Sequence, residues 1–195
     1  GGPQNGDTYV ACATIVQSYM QIITLPLGGI TGGTQPVLSF NYGAKRTDRI
    51  KSGFRNILTL CILFNGIMFL LSQIVPQLFV RIFTQDPQYL ELSAWGIRVF
   101  TAGVLILAFQ YTFVDGLTAL GIAKVAVTLS LLRKVFFLGA TVLLPPVFGA
   151  KAAFFAEPIA DIAGGIVSIT VFALLIGKIL RKREEMPDGQ ALYAE

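Results

Sequence analysis

Histidine is absent from this 195-residue chain, and with it goes the usual general base of enzyme chemistry. No nucleophile stands beside a base, no glycine-rich phosphate loop is present, and no cluster has metal-ligand spacing, so the sequence carries no enzymatic or metal-binding signature. Cysteine is limited to Cys12 and Cys61, both in apolar runs, which reads as two small core residues and excludes a disulfide framework. Charge is scarce: 13% of residues are charged against 54% hydrophobic. With a mean hydropathy of +0.68, a soluble domain would expose far too much apolar surface. The lipid bilayer is the expected partner, and nothing points to nucleic acid. Internal repeats and low-complexity segments are missing as well.

What is present is a succession of long apolar runs. A spanning helix needs about 20 apolar residues at a rise of about 1.5 Å each, and five runs meet that length, with spans expected at about 8–40, 54–80, 96–121, 125–149 and 152–178, followed by a polar tail over 179–195. The fold class is therefore all-α, a polytopic helical bundle. The first run is overlong for one crossing, and Pro26, Gly28-Gly29 and Gly32-Gly33 are placed to kink it. The second is free of charge from Asn56 to Val80; the third carries Asp115, the fourth the pair Arg133-Lys134, and the fifth Glu157 and Asp161.

Basic residues orient such a chain. With five crossings, twelve of the fifteen fall on one side: Lys45, Arg46, Arg49, Lys51 and Arg55, then Lys124, Arg133 and Lys134, then Lys178, Arg181, Lys182 and Arg183. Arg81, Arg98 and Lys151 are left for the other. This places the C-terminus in the cytoplasm and Gly1 outside, in an inner or plasma membrane. The opening residues Gly1 to Asp7 have no initiator Met and no signal-like core, and read as an extracytoplasmic turn, so the chain is expected to be an internal fragment.

The segment Gln35-Pro36, four residues, then Asn41-Tyr42-Gly43-Ala44 and Lys45-Arg46 resembles the one that closes the second helix of the C-terminal lobe in the MATE family, the multidrug and toxic compound extrusion antiporters, nearest to the MepA-like and DinF-like branch. Ala119-Leu120-Gly121, with Thr118 where the family has Gln, Leu132-Arg133, and Ala156-Glu157-Pro158-Ile159-Ala160-Asp161 also fit. The resemblance implies that the five spans correspond to the eighth through twelfth of a twelve-helix transporter, with the N-terminal lobe and seventh helix as missing partners. It further implies exchange of small organic cations and amphipathic drugs for Na⁺ or H⁺, with no other cofactor.

A charged side chain in mid-membrane costs about 2.5 to 3.5 kcal/mol on insertion scales, so each needs a partner, a wet cavity or a proton. Asp115, Glu157 and Asp161 are the candidates for ion or proton coupling. Glu157 and Asp161 share a helical face at a spacing of four, and in low dielectric the two compete for ionisation, which suits loading and release of one proton. The alternative for Glu157 is an outer-end position in a wet vestibule. Gln35, Asn41, Tyr111 and Arg133 are the substrate-cavity candidates. Gln35 has the alternative of satisfying carbonyls at the kink, and Asn41 that of ending a helix in which Gly43 takes a positive φ. Phe109, Tyr111, Phe113, Phe136 and Phe137 are candidates for a cation-attracting pocket, with ordinary packing as the alternative. Asp115 and Arg133 stand nine residues either side of Lys124, so a hairpin turning there would put them at equal depth and allow them to pair; otherwise Arg133 snorkels outward and Asp115 faces the cavity alone.

A lipid-linked oligosaccharide flippase of the same superfamily would need a strongly basic central cavity, whereas the intramembrane charges here are mainly acidic. A non-transporting scaffold would have no use for three costly buried acids.

Overall fold

The structure, a computed structural model, describes residues 3–186. Seven α-helices follow one another: α1 (Pro3–Gly43), α2 (Thr47–Ile74), α3 (Pro76–Val80), α4 (Pro87–Phe100), α5 (Val104–Ala119), α6 (Ala123–Phe148) and α7 (Ala156–Glu185). Short 3₁₀ turns, Thr101–Gly103 and Ala150–Phe155, carry α4 into α5 and α6 towards α7. The described residues contain no strand, and five stretches are long and apolar enough to cross a membrane: Gly6–Gly43, Thr47–Ile74, Pro87–Ala119, Ala123–Phe148 and Ala150–Glu185. The chain is an all-α multi-pass bundle.

Helix α1 runs unbroken through Pro26 and Pro36. It begins at Pro3, so residues 3–7 are its first turns and not the open turn expected there; Gly1 and Gly2 lie outside the described residues. Proline suits a first helical turn, where no N–H is needed. At the other end Gly43 stays helical, and Lys45 takes the left-handed conformation at φ 55°. Arg46 N–H donates to Asn41 O at 2.9 Å and Lys45 N–H to Tyr42 O at 3.1 Å, the pairing that closes a helix through one left-handed residue. Gly121, at φ 80°, closes α5 in the same way, with Ile122 N–H on Leu117 O at 2.8 Å.

The second run is interrupted where Val75 precedes Pro76, because a residue before proline is driven out of the helical region. The third crossing starts at Pro87, well before the expected 96: Asp86 caps α4 by accepting Gln88 N–H at 2.8 Å. Arg98, within α4, is exposed and donates from Nε to Gln73 O at 3.1 Å. Helix α7 extends to Glu185, so the first part of the expected tail is helical; residues 187–195 lie outside the described residues.

Helix α5 is the hub, packing against α1, α2, α6 and α7. Phe113 on α5 stacks on Phe172 of α7 with centroids 4.1 Å apart, and Phe54 of α2 meets Phe172 edge-on at 4.8 Å. Gly116 makes room: a Cβ there would lie 2.0 Å from Phe54 Cε1. By contrast α6 buries only Ala126, Leu129 and Arg133, and presents Leu131, Val135, Leu138 and Val142 outward. A helix apolar on its exposed face belongs against lipid or another membrane segment.

Candidate functional site

The single side chain that α6 buries beyond Ala126 and Leu129 is a cation, and its partners come from α7. Arg133 Nη2 donates to Glu157 Oε1 at 2.5 Å and to Asp161 Oδ1 at 2.6 Å, while Nε donates to the same Oδ1 at 3.0 Å. Asp161 is fully buried, and Arg133 and Glu157 are each 8% exposed. One guanidinium therefore faces two carboxylates in a largely buried setting, where the pairing must offset the desolvation of all three. Asp161 Oδ2 and, from α5, Gln110 Oε1 are buried without a hydrogen-bond partner among the described residues.

Glycines bring the helices this close. A Cβ at Gly164 would lie 2.8 Å from Gln110 Oε1 and 3.0 Å from Arg133 Cβ; at Gly165, 2.3 Å from Ile106 Cγ2; at Gly103, 2.7 Å from Asp161 Cβ. Small residues are how membrane helices approach without a hydrophobic driving force between them.

Beside the cluster is a cavity of about 250 Å³ lined by Gln110, Tyr111, Val114, Asp115, Ser130, Arg133 and Lys134. Asp115 does not pair with Arg133. Its carboxylate accepts from the hydroxyl of buried Thr31 on α1, while the guanidinium is turned to α7. The two residues share a cavity and not an ion pair. Nor does Arg133 snorkel outward, and Glu157 is buried in the cluster instead of standing in a wet vestibule.

Of the four substrate-cavity candidates, Tyr111 and Arg133 line this space. Asn41 lies at the end of α1, where its side-chain amide donates to Val37 O at 2.8 Å and its backbone carbonyl accepts from Arg46 N–H. Gln35 is half-buried on α1 away from the cavity lining, and the Thr34 hydroxyl, not Gln35, bonds the preceding turn, donating to Ile30 O at 2.9 Å. Among the aromatic candidates Phe109 and Phe113 pack on each other with centroids 6.0 Å apart. Phe137 borders a separate cleft with Phe100 and Phe154. Sequence reasoning missed Thr31, which donates to Asp115, and Gln110, which lines the cavity beside it; neither is set apart in the sequence from other polar residues of the spans.

The MatE family model matches residues 2–143. Three solved structures superpose well. An inward-facing multidrug resistance MATE family transporter of the MOP superfamily gives a TM-score of 0.81 at 13% identity, over 88% of this chain and 40% of that one. The Vibrio cholerae MATE transporter VcmN in its bent form gives 0.78 at 19%, over 90% and 39%. The MATE multidrug transporter DinF-BH in complex with R6G gives 0.77 at 26%, over 87% and 38%. The chain thus spans about two fifths of the length of each. No curated protein matches it.

Proposed function

The chain belongs to the MatE family, and we propose that it supplies most of the C-terminal lobe of a secondary exporter that expels cationic, amphipathic organic compounds in exchange for Na⁺ or H⁺. The observation that carries this reading is the buried cluster of Arg133, Glu157 and Asp161 set against the Asp115 cavity. A bundle with only a structural task has no need of it, since ion clusters in lipid stabilise poorly against apolar packing of the same volume. Asp115 and Tyr111 give the cavity a carboxylate and a ring face for a flat organic cation. The net negative cluster next to it supplies the carboxylates that a coupling ion needs. Alternating exposure would come from the lobe rocking against its partner lobe. A flippase for anionic lipid-linked sugars fits less well, because the charge of Arg133 is already taken up by two acids.

The test uses the full-length protein in proteoliposomes, following a fluorescent lipophilic cation under an imposed Na⁺ or proton gradient. Asp161→Asn is expected to lower gradient-driven export about tenfold or more and Glu157→Gln less, because Asp161 accepts two bonds from Arg133 and lies one turn deeper. Wild-type export by both variants, at matched protein, would remove the cluster from coupling.

A further inference from the structure

At the end of the bundle where α1 turns into α2 and α7 terminates, Lys45, Arg46, Arg49 and Lys51 line an open basin together with Thr47, Asp48 and Glu184. Part of this set is engaged within the protein. Lys45 Nζ donates to Met186 O at 2.5 Å, and the Thr47 hydroxyl to Glu184 Oε1 at 2.5 Å. Arg183 donates to Tyr42 O at 3.1 Å and Gly43 O at 2.8 Å, tying α7 to the α1–α2 turn. Arg46, Arg49 and Lys51 are different: they are exposed and have no ion pair among the described residues, as is also true of Arg55 one turn on.

Their depth follows from α2. Its apolar part, Ile57 to Ile74, is about 27 Å long at about 1.5 Å per residue, close to the roughly 30 Å of a bilayer's hydrocarbon core. Arg55, Lys51 and Arg49 then stand about 3, 9 and 12 Å beyond that core, through the layer occupied by lipid phosphates. The outer face of α2 continues the same line: Leu60, Leu63, Ile67, Leu70 and Ile74 are all exposed. Counting back from Leu60 by steps of four, three and four passes Asn56 and Gly53 and arrives at Arg49. This helix face thus offers a cation in the phosphate layer, then Gly53 and the polar Asn56, and an apolar strip that begins at Leu60.

We propose that this basin binds the phosphate of an anionic phospholipid, with Arg46, Arg49 and Lys51 around the headgroup and its acyl chains along the α2 strip. The strip favours a lipid over inorganic phosphate, which would need only the basin. Clusters of basic residues at the membrane boundary, in a pocket between helix ends, are suited to such headgroups. The inference requires that the chain span a bilayer with the α2 strip facing lipid, and stands or falls separately from transport.

The experiment is native mass spectrometry of the full-length protein in detergent, offered phosphatidylglycerol or phosphatidylcholine of identical acyl chains. Phosphatidylglycerol is expected to be retained several-fold over phosphatidylcholine, and the combined Arg46→Gln, Arg49→Gln, Lys51→Gln variant to retain the two about equally. Lys124→Gln, which removes an exposed charge from the first turn of α6, should leave the preference unchanged, as should millimolar inorganic phosphate. Unaltered size-exclusion elution and helical circular dichroism establish folding; should the triple variant fail there, Arg49→Gln alone should lower retention measurably. Equal retention of the two lipids, undiminished retention by the basin variants, or an equal effect of Lys124→Gln would overturn the site. Displacement by inorganic phosphate would reassign it to the free anion and overturn the lipid.

Discussion

At the scale of single residues, the charge balance around Arg133 makes a sharp statement about stability. Replacing Arg133 by Met leaves Glu157 and Asp161 facing one another in a buried site, and breaking a buried pair in this way costs about 3 to 5 kcal/mol. Removing both charges of the acids as well, with Arg133→Met, Glu157→Gln and Asp161→Asn together, should recover most of the loss, because an uncompensated charge is worse than none. Thermal stability and folded yield in detergent are the readout, and a triple variant no more stable than Arg133→Met would refute the argument. The candidates here were legible in the sequence as charges where apolar residues belong. Their pairing was not, since Asp115, Glu157 and Asp161 all offered a carboxylate to the same cation. Thr31 settles the matter on one side by engaging Asp115, and the glycines of α7 settle it on the other.

At the scale of helices, the contact of α7 with α5 decides whether the cluster can assemble. Gly165 has no room for a side chain, with Ile106 Cγ2 at 2.3 Å and Ile106 O at 3.0 Å from the position of a Cβ. Gly165→Leu should force the two helices apart, costing about 1 to 3 kcal/mol through overpacking, and with it weaken the grip of Arg133 on Asp161. Gly177, on the same helix with open space around it, is the matched comparison: Gly177→Leu should shift stability by no more than about 0.5 kcal/mol. Equal effects at both positions, measured as melting temperature in detergent, would mean that close packing at Gly165 is not what holds α5 and α7 together. Helix boundaries followed local chemistry wherever a cap or a proline was involved, as at Asp86-Pro87 and Val75-Pro76. They departed from the hydropathy reading where a charged residue such as Arg98 lay exposed on a helix already under way.

At the scale of the whole molecule, the bundle gathers the basic residues of the α1–α2 turn and of α7 at one end, while Gln88, Glu91 and Lys151 border a pocket at the other. Basic residues are commonest on the cytoplasmic side of membrane helices, and we propose that orientation for the richer end. Asp48 and Gln85 are exposed on opposite ends, and the native Cys12 and Cys61 are fully buried, so background labelling should be low. In intact cells an impermeant thiol reagent should label Gln85→Cys and spare Asp48→Cys in the full-length protein. The reverse pattern would invert the topology.

Composition and run length were enough to determine that this is a five-span membrane bundle, because the cost of placing polar backbone and charge in hydrocarbon depends on local sequence alone. The same locality made the end of α1 near Tyr42 and the turn after Gly121 readable. Tertiary structure alone decided which acid Arg133 meets. Spacing along two helices gives the depth of a side chain in the membrane but not the rotation of each helix about its own axis, and Asp115 and Asp161 differ, as seen from α6, in that rotation. The close approach of α7 at Gly103, Gly164 and Gly165 sets it, through contacts between residues some 60 positions apart, and brings Asp161 to the guanidinium while Asp115 turns to Thr31.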